Sequence, residues 1–191
     1  VYTEHVDLVE KFVGGTDFDF GFGLFENHTY GNVWTDNSQR EANGTRNLTL
    51  GSWYHLAMTW NGTNISFFVN GLFDGGRGGF SGTISGDSEP LAIGRSARFN
   101  SGGVEPGNFN GTIDEVKLFN RTLTLSEIAN EYHMMLYGST EREPQTGTPA
   151  PDIPLVAWHF DQNDTAGTVF DFFGDTPAYI SNATRVQGVF G

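Results

Sequence analysis

Three carboxylates stand close together near the start of the chain, in the run Glu4-His5-Val6-Asp7-Leu8-Val9-Glu10. Paired carboxylates can hydrolyse a glycosidic bond only where the strand aims both into one cleft. In a regular strand Glu4 and Glu10 share a face and Asp7 points to the other, so the spacing sets no nucleophile against an acid, and no enzyme is expected. The other reactive residue types are scattered. His5, His28, His55, His133 and His159 form no H-x-x-x-H pair, and the chain has neither cysteine nor a G-x-S-x-G nucleophile. His55 and His159 sit in apolar runs and read as packed or half-buried imidazoles. The run GGRGG at 75–79 lacks the G-K-S/T and following helix of a phosphate cradle and reads as a turn.

One modification chemistry is written repeatedly. Nine of the 15 asparagines head N-x-S/T sequons: Asn27, Asn43, Asn47, Asn61, Asn64, Asn110, Asn120, Asn163 and Asn182. Random placement of the chain's Ser and Thr would give about two, so the excess points to N-linked glycans and an extracellular, cell-surface location. Small secreted domains usually carry disulfides, yet this one has no cysteine. An archaeal surface glycoprotein fits both facts, as does a cysteine-free bacterial one. The chain starts without Met, which suggests a subunit or repeat cut from a longer precursor.

Composition narrows the partners. With 23 acidic against 10 basic residues, a net charge of −13 and only Lys11 and Lys117 as lysines, no cationic stripe exists to neutralise a phosphate backbone. Nucleic acid is therefore not an expected partner. No run of roughly 18 apolar residues could span a bilayer as a helix. Aromatic residues at 14% and apolar residues at 37% are those of a chain with a packed core.

The elements that would carry these residues are mostly strands. Residues 6–13 and 17–25 are β-branched or aromatic runs, with Phe18, Phe20, Phe22 and Leu24 on one parity and Asp17, Asp19 and Gly21 on the other. Tyr54, Leu56, Met58 and Trp60 alternate, Asn61-Gly62 turns, and Ile65, Phe67 and Val69 alternate before Asn70-Gly71, which predicts a hairpin. Four N-G pairs, at Asn43, Asn61, Asn70 and Asn110, mark tight turns of an antiparallel sheet, and three of them are sequons. Short strands are expected at 90–95 and 111–121. One helix is expected from Thr124 to Tyr137, opened by a Thr124/Glu127 capping box and ended by Gly138.

Residues 139–154 hold four of the seven prolines and form an extended linker of at most about 50 Å. Alternation resumes at Val156, Trp158 and Phe160. The tail at 155–191 is below the roughly 40 residues that make a core unaided, so it must dock on something.

The stretches GSWYHLAMTWNGTNISFFVNGLFDG, PLAIGRSA and FNGTIDEVKLFNRTLTLSEIANEY resemble the second half of laminin-G-like, concanavalin A-like lectin domains. The tail LVAWHFDQNDTAGTVFDFFGD is similar to that family's opening strands. The resemblance implies an all-β, antiparallel jelly-roll β-sandwich with one short C-terminal helix, followed by the linker and a β-strand tail. The body covers 1–138 and lacks the family's opening strands, the linker covers 139–154, and the tail covers 155–191. Back therefore precedes front. The tail completes its own sandwich in cis, or completes the next copy in trans as a head-to-tail homopolymer, or the chain is a window on a tandem array. Strand complementation in a glycosylated cell-surface filament, with a structural or adhesive role, is the leading expectation. A carbohydrate-binding lectin-like module of a larger secreted protein is the alternative.

The resemblance implies further sites. Family members hold structural Ca²⁺ on hard oxygen ligands; the matching positions are Asp171, Gly174 and Asp114, with Asp161 and Asp175 as weaker candidates. Laminarinase-type glycosidases share the sandwich and carry E-x-D-x-x-E, a motif that the Glu4 to Glu10 run misses by one residue. Surface carbohydrate would stack on exposed aromatics, for which Tyr30, Trp34 and Tyr179 lie near turn residues, whereas Trp53, Trp60 and Trp158 fit strand alternation and are expected in the core.

Overall fold

The computed structural model describes residues 5–11, 19–36, 38–84, 91–95 and 107–135, and the backbone of 12, 18, 136–137, 156–158, 168–170 and 177–179. Twelve strands are described: β1 Val6–Phe12, β2 Phe18–Phe25, β3 His28–Thr35, β4 Ser38–Asn43, β5 Leu56–Trp60, β6 Ile65–Val69, β7 Leu72–Arg77, β8 Leu91–Ile93, β9 Val116–Leu118, β10 Val156–Trp158, β11 Thr168–Phe170 and β12 Pro177–Tyr179. One helix, α1, spans Leu125–Tyr137. The strands form a large sheet of order β11-β12-β8-β1-β2-β3-β4 and two small ones, β5-β6-β7 and β10-β9. Pairing is antiparallel apart from the single Tyr179–Ala92 register between β12 and β8.

Period-two alternation decides which side chains meet. On the inner face of the large sheet Phe20, Phe22, Val33 and Ala42 pack on Ile65, Phe67, Met58 and Trp60 of the small sheet. A second cluster joins Val6 and Leu24 to Leu48 and Val69, and a third sets Leu91 and Ile93 against Ile113, Val116 and Leu118 of the β9 region. Two sheets with opposed apolar faces make a β-sandwich. Gly31 sits where the layers approach closely, since a Cβ there would meet the Met58 sulfur and the Phe67 ring.

The helix starts as the capping box predicts. Glu127 N–H donates to Thr124 Oγ1 at 3.3 Å, and Thr124 N–H donates back to Glu127 Oε2 at 2.6 Å. That amide, with Arg121 beside it, holds the Glu127 carboxyl down at about 2. Ile128 on the inner side is 1% exposed.

The structure corrects several expectations. Two of the four N-G pairs, Asn61-Gly62 and Asn70-Gly71, join paired strands, whereas Asn43-Gly44 and Asn110-Gly111 do not; the β2–β3 hairpin turns on Glu26 and Asn27, both at positive φ. Gly75 to Arg77 of the supposed turn belong to β7. A bulge between Asp7 and Val9 moves Asp7 opposite Gly23 and Glu10 opposite Gly21, so both acids share the outer face of the large sheet. Glu10 is 2% exposed there, and Glu4 lies outside the described residues. The tail strands pair within the chain: β10 lies on β9, with Val156 opposite Leu118, and β12 lies on β8.

Candidate functional site

The small layer is divided. Among the described residues, sheet β5-β6-β7 ends on β5 and sheet β10-β9 ends on β9, and β5 and β9 are not bonded to each other. Between them opens a cleft of about 930 Å³ whose floor is the inner face of β1 and β2 and whose walls include Leu56, Met58, Trp60, Val116 and Leu118. Every residue of β5 is half-buried rather than buried, as befits a strand with one side open, whereas β6 behind it is almost wholly buried.

Polar groups at the cleft are engaged with one another. Lys117 Nζ donates to Glu131 Oε2 of α1 at 3.0 Å, Asp114 Oδ1 accepts Glu115 N–H at 3.0 Å, and Thr122 Oγ1 donates to the Trp60 carbonyl at 2.7 Å. His55 lies against the Tyr132 ring at 5.9 Å, and its Nδ1 is buried without a hydrogen-bond partner. Burial, with the Lys117 charge adding to it, pushes its pKa down to about 4. The unfolded value is about 6.5, so His55 stays neutral in the fold while the unfolded chain takes up a proton. Stability is then full above about pH 6.5, falls as pH drops from 6.5 to 4, and is level below. The expected loss is of the order of 3 kcal/mol. Urea titrations of the parent and of His55→Phe at pH 7, 5 and 4 check this, since the difference between the two proteins must grow over that window.

The sequons fall on turns and strand ends. Asn43, Asn47, Asn61, Asn110 and Asn120 are exposed, while Asn27 and Asn64 are half-buried. Asn61 Oδ1 accepts hydrogen bonds from Thr63 N–H and Oγ1 at 3.0 Å and from Asn64 N–H at 2.8 Å, which fixes the β5–β6 turn around its sequon. Asn163 and Asn182 lie outside the described residues.

Of the stacking candidates, Tyr30 is corrected. Its ring is 6% exposed on the outer face of β3, beside His5 and Phe25, and its hydroxyl donates to Glu41 at 3.1 Å. Burial, with Glu41 and Asp7 adding to it, pushes that hydroxyl up to about 12. Trp34 is half-buried, and the Tyr179 side chain lies outside the described residues. The opposite correction applies to Trp53, which is 52% exposed because it precedes β5 instead of lying in it. With Leu50, 63% exposed, it lines the cleft, an exposed aromatic that alternation missed. Among the calcium candidates Asp114 is half-buried after Ile113, and Asp171, Gly174, Asp161 and Asp175 lie outside the described residues. Among the described residues no three His, Cys, Asp or Glu side chains converge as a cation shell, and no helix is long and apolar enough to cross a membrane.

Comparison with known proteins places these features. The family described as the concanavalin A-like lectin/glucanases superfamily, laminin-G type, matches residues 2–129. Nothing among curated proteins matches the chain. The chain is similar to the crystal structure of an S-layer domain-containing protein from Clostridium thermocellum ATCC 27405, at 21% identity and a TM-score of 0.36, over 63% of this chain and 59% of that one.

Proposed function

Because this chain belongs to the concanavalin A-like lectin/glucanase superfamily, we propose that it is a non-catalytic, N-glycosylated cell-surface module with a structural or adhesive role, repeating as the subunit of a filament joined by strand complementation. The observation that carries the reading is the sequon excess, with five of the seven described acceptors exposed in loops and at strand ends. A bulky glycan can project from such positions without disturbing the sheets. The acidic, lysine-poor surface adds like-charge repulsion that keeps finished filaments apart.

The way the cleft's polar side chains are spent supports the non-catalytic part. Lys117 is paired with Glu131, and His55 is held neutral against Tyr132. Glycopeptide mass spectrometry of native material should find glycan on several of the nine asparagines. Light scattering and negative-stain microscopy should find filaments, and a persistent monomer of 20.9 kDa would overturn the filament reading.

Calcium belongs to the same proposal. Asp114 supplies one hard oxygen donor, and Asp171 with Gly174 would supply the rest, which would tie tail to body. EDTA is then expected to lower the melting temperature by several degrees, and a melting curve unmoved by EDTA would remove the metal.

One observation favours a lectin-like second reading. Trp53 and Leu50 offer an exposed apolar platform of the kind that stacks on a sugar ring. Saturable heat of binding to a defined oligosaccharide, lost in Trp53→Ala, would establish it, and silence across a broad glycan array would dismiss it.

A further inference from the structure

We propose that folding decides which sequons accept a glycan: Asn61 stays an acceptor in the finished fold, whereas Asn27 and Asn64 accept one only before the sheets close. The inference rests on the N-glycosylated reading above and adds the order in which acceptors can be used. It follows from what the fold does with the sequon side chains.

A sequon is an asparagine plus a hydroxyl two residues on, so a transferase must reach both groups at once. In Asn61-Gly62-Thr63 the fold presents them together. Asn61 and Thr63 are exposed, and beside Gly62 nothing but its own chain neighbours lies within 4 Å of where a Cβ would stand. The turn lies between β5 and β6, so no strand has to leave its sheet. Asn61 Oδ1 collects three donors, Thr63 N–H, Thr63 Oγ1 and Asn64 N–H. In the transfer, Nδ2 attacks the anomeric carbon of a lipid-carried glycosyl phosphate and the new N–C bond forms. The bond from that carbon to the phosphate oxygen breaks, its electron pair leaves on the phosphate, and one amide proton passes to a carboxylate of the transferase. The three donors stabilise the negative charge that Oδ1 gains as the proton leaves.

Asn64-Ile65-Ser66 begins in the same turn and is closed. Asn64 Nδ2, the atom that would carry the sugar, donates to Thr63 Oγ1 at 3.0 Å, and Asn64 Oδ1 lies against Gly78, where an added Cβ would run into it. Ile65 has no exposed surface, and Ser66 sits in register between Thr59 of β5 and Gly76 of β7. Presenting this sequon pulls the middle strand out of its sheet.

Asn27-His28-Thr29 is closed at its hydroxyl. Thr29 has no exposed surface, and its Oγ1 donates to the Asp74 carboxylate at 3.0 Å. The Asn27 carbonyl accepts Leu48 N–H at 2.8 Å, which holds the other end of the sequon in place. Exposure of the asparagine alone does not rank acceptors. Asn43 and Asn120 are exposed, yet Thr45 Oγ1 donates to the Asp74 carbonyl and Thr122 Oγ1 to the Trp60 carbonyl, so both fall between the open and the closed sites.

Initial rates of transfer test this on the unglycosylated full chain and on synthetic peptides of residues 22–32 and 57–69. The enzyme is an oligosaccharyltransferase that, with its lipid-linked donor, modifies all three asparagines in the peptides, and each site is read by glycopeptide mass spectrometry. In the folded chain Asn61 should react within about threefold of its peptide rate, and Asn27 and Asn64 at least about thirtyfold more slowly than theirs, because access there needs local unfolding. Asn27 or Asn64 reacting in the chain as fast as in its peptide, or Asn61 as slowly as Asn64, would overturn the inference. Native material without glycan would overturn the glycoprotein reading, whereas an unselective chain in the transfer assay would overturn only the order proposed here.

Discussion

Replacing Phe67 by alanine is expected to cost about 3–5 kcal/mol of folding stability, the range for truncating a fully buried aromatic. Phe67 has no exposed surface, lies at the middle of β6 opposite Met58 and Gly75, and stacks on Phe22 of the facing sheet at 6.2 Å and 19°. It is thus the contact through which the two layers recognise each other. The void left by the ring would be bounded by backbone on one side, because Gly31 offers no side chain to collapse into it. A denaturation series should show the midpoint falling with an unchanged slope. The close approach supplies a further check. Gly31→Ala alone should be destabilising, since its methyl meets Met58 and the Phe67 ring, and the same change in the Phe67→Ala background should cost less. Strict additivity of the two would refute the proposed contact.

The parts of this architecture that sequence reveals are those where one face is apolar and the other is not. β5 and β6 read out cleanly because Leu56, Met58 and Trp60 alternate with small residues and Asn61-Gly62 supplies the turn. The helix reads out because its cap is chemical: Thr124 and Glu127 make the bonds that their spacing implies. β3 escapes such a reading for a physical reason. Its inner face carries Thr29, Gly31, Val33 and Thr35, small groups that let the layers approach, while Tyr30, Asn32 and Trp34 are on the outer face. Bulk and burial are inverted there, and Tyr30 at 6% exposure is buried on the side that alternation assigns to solvent. β7 is hidden in the same way, with Leu72 and Phe73 exposed and Asp74 buried.

The site was legible to a lesser degree. Sequon positions are local and need only the chain, so every acceptor could be named in advance. The bulge in β1 could not, since it depends on which residues of β2 oppose it, and it alone brings Asp7 and Glu10 to one face. Nor could the cleft between β5 and β9. An unpaired edge is a property of sheet order, and that order is set by long-range pairing that no window of sequence contains.

The second large effect is expected at Asp74, where alanine should cost about 4 kcal/mol. The residue is 5% exposed, and its carboxylate accepts from Thr29 Oγ1 at 3.0 Å and from Arg46 N–H at 2.8 Å. Its own carbonyl accepts the Thr45 N–H at 3.1 Å. One side chain therefore ties the start of β3 and the chain leaving β4 to β7, across the gap between the sheets. Hydrogen bonds to a charged acceptor contribute about 1.5–3 kcal/mol each, and removing the acceptor strands two donors away from water. The cluster leaves no room for repair by a bulkier neighbour, since a Cβ on Gly44 would run into both Thr29 Oγ1 and the Asp74 carboxylate. Asp74→Asn keeps the shape and one acceptor oxygen but loses the charge, so it should fall between the parent and the alanine variant. If Asn proves as costly as Ala, charge and not geometry is what the cluster needs. If Ala costs under about 1 kcal/mol, the tie contributes no more than an ordinary surface hydrogen bond and the sheets are held by their apolar clusters.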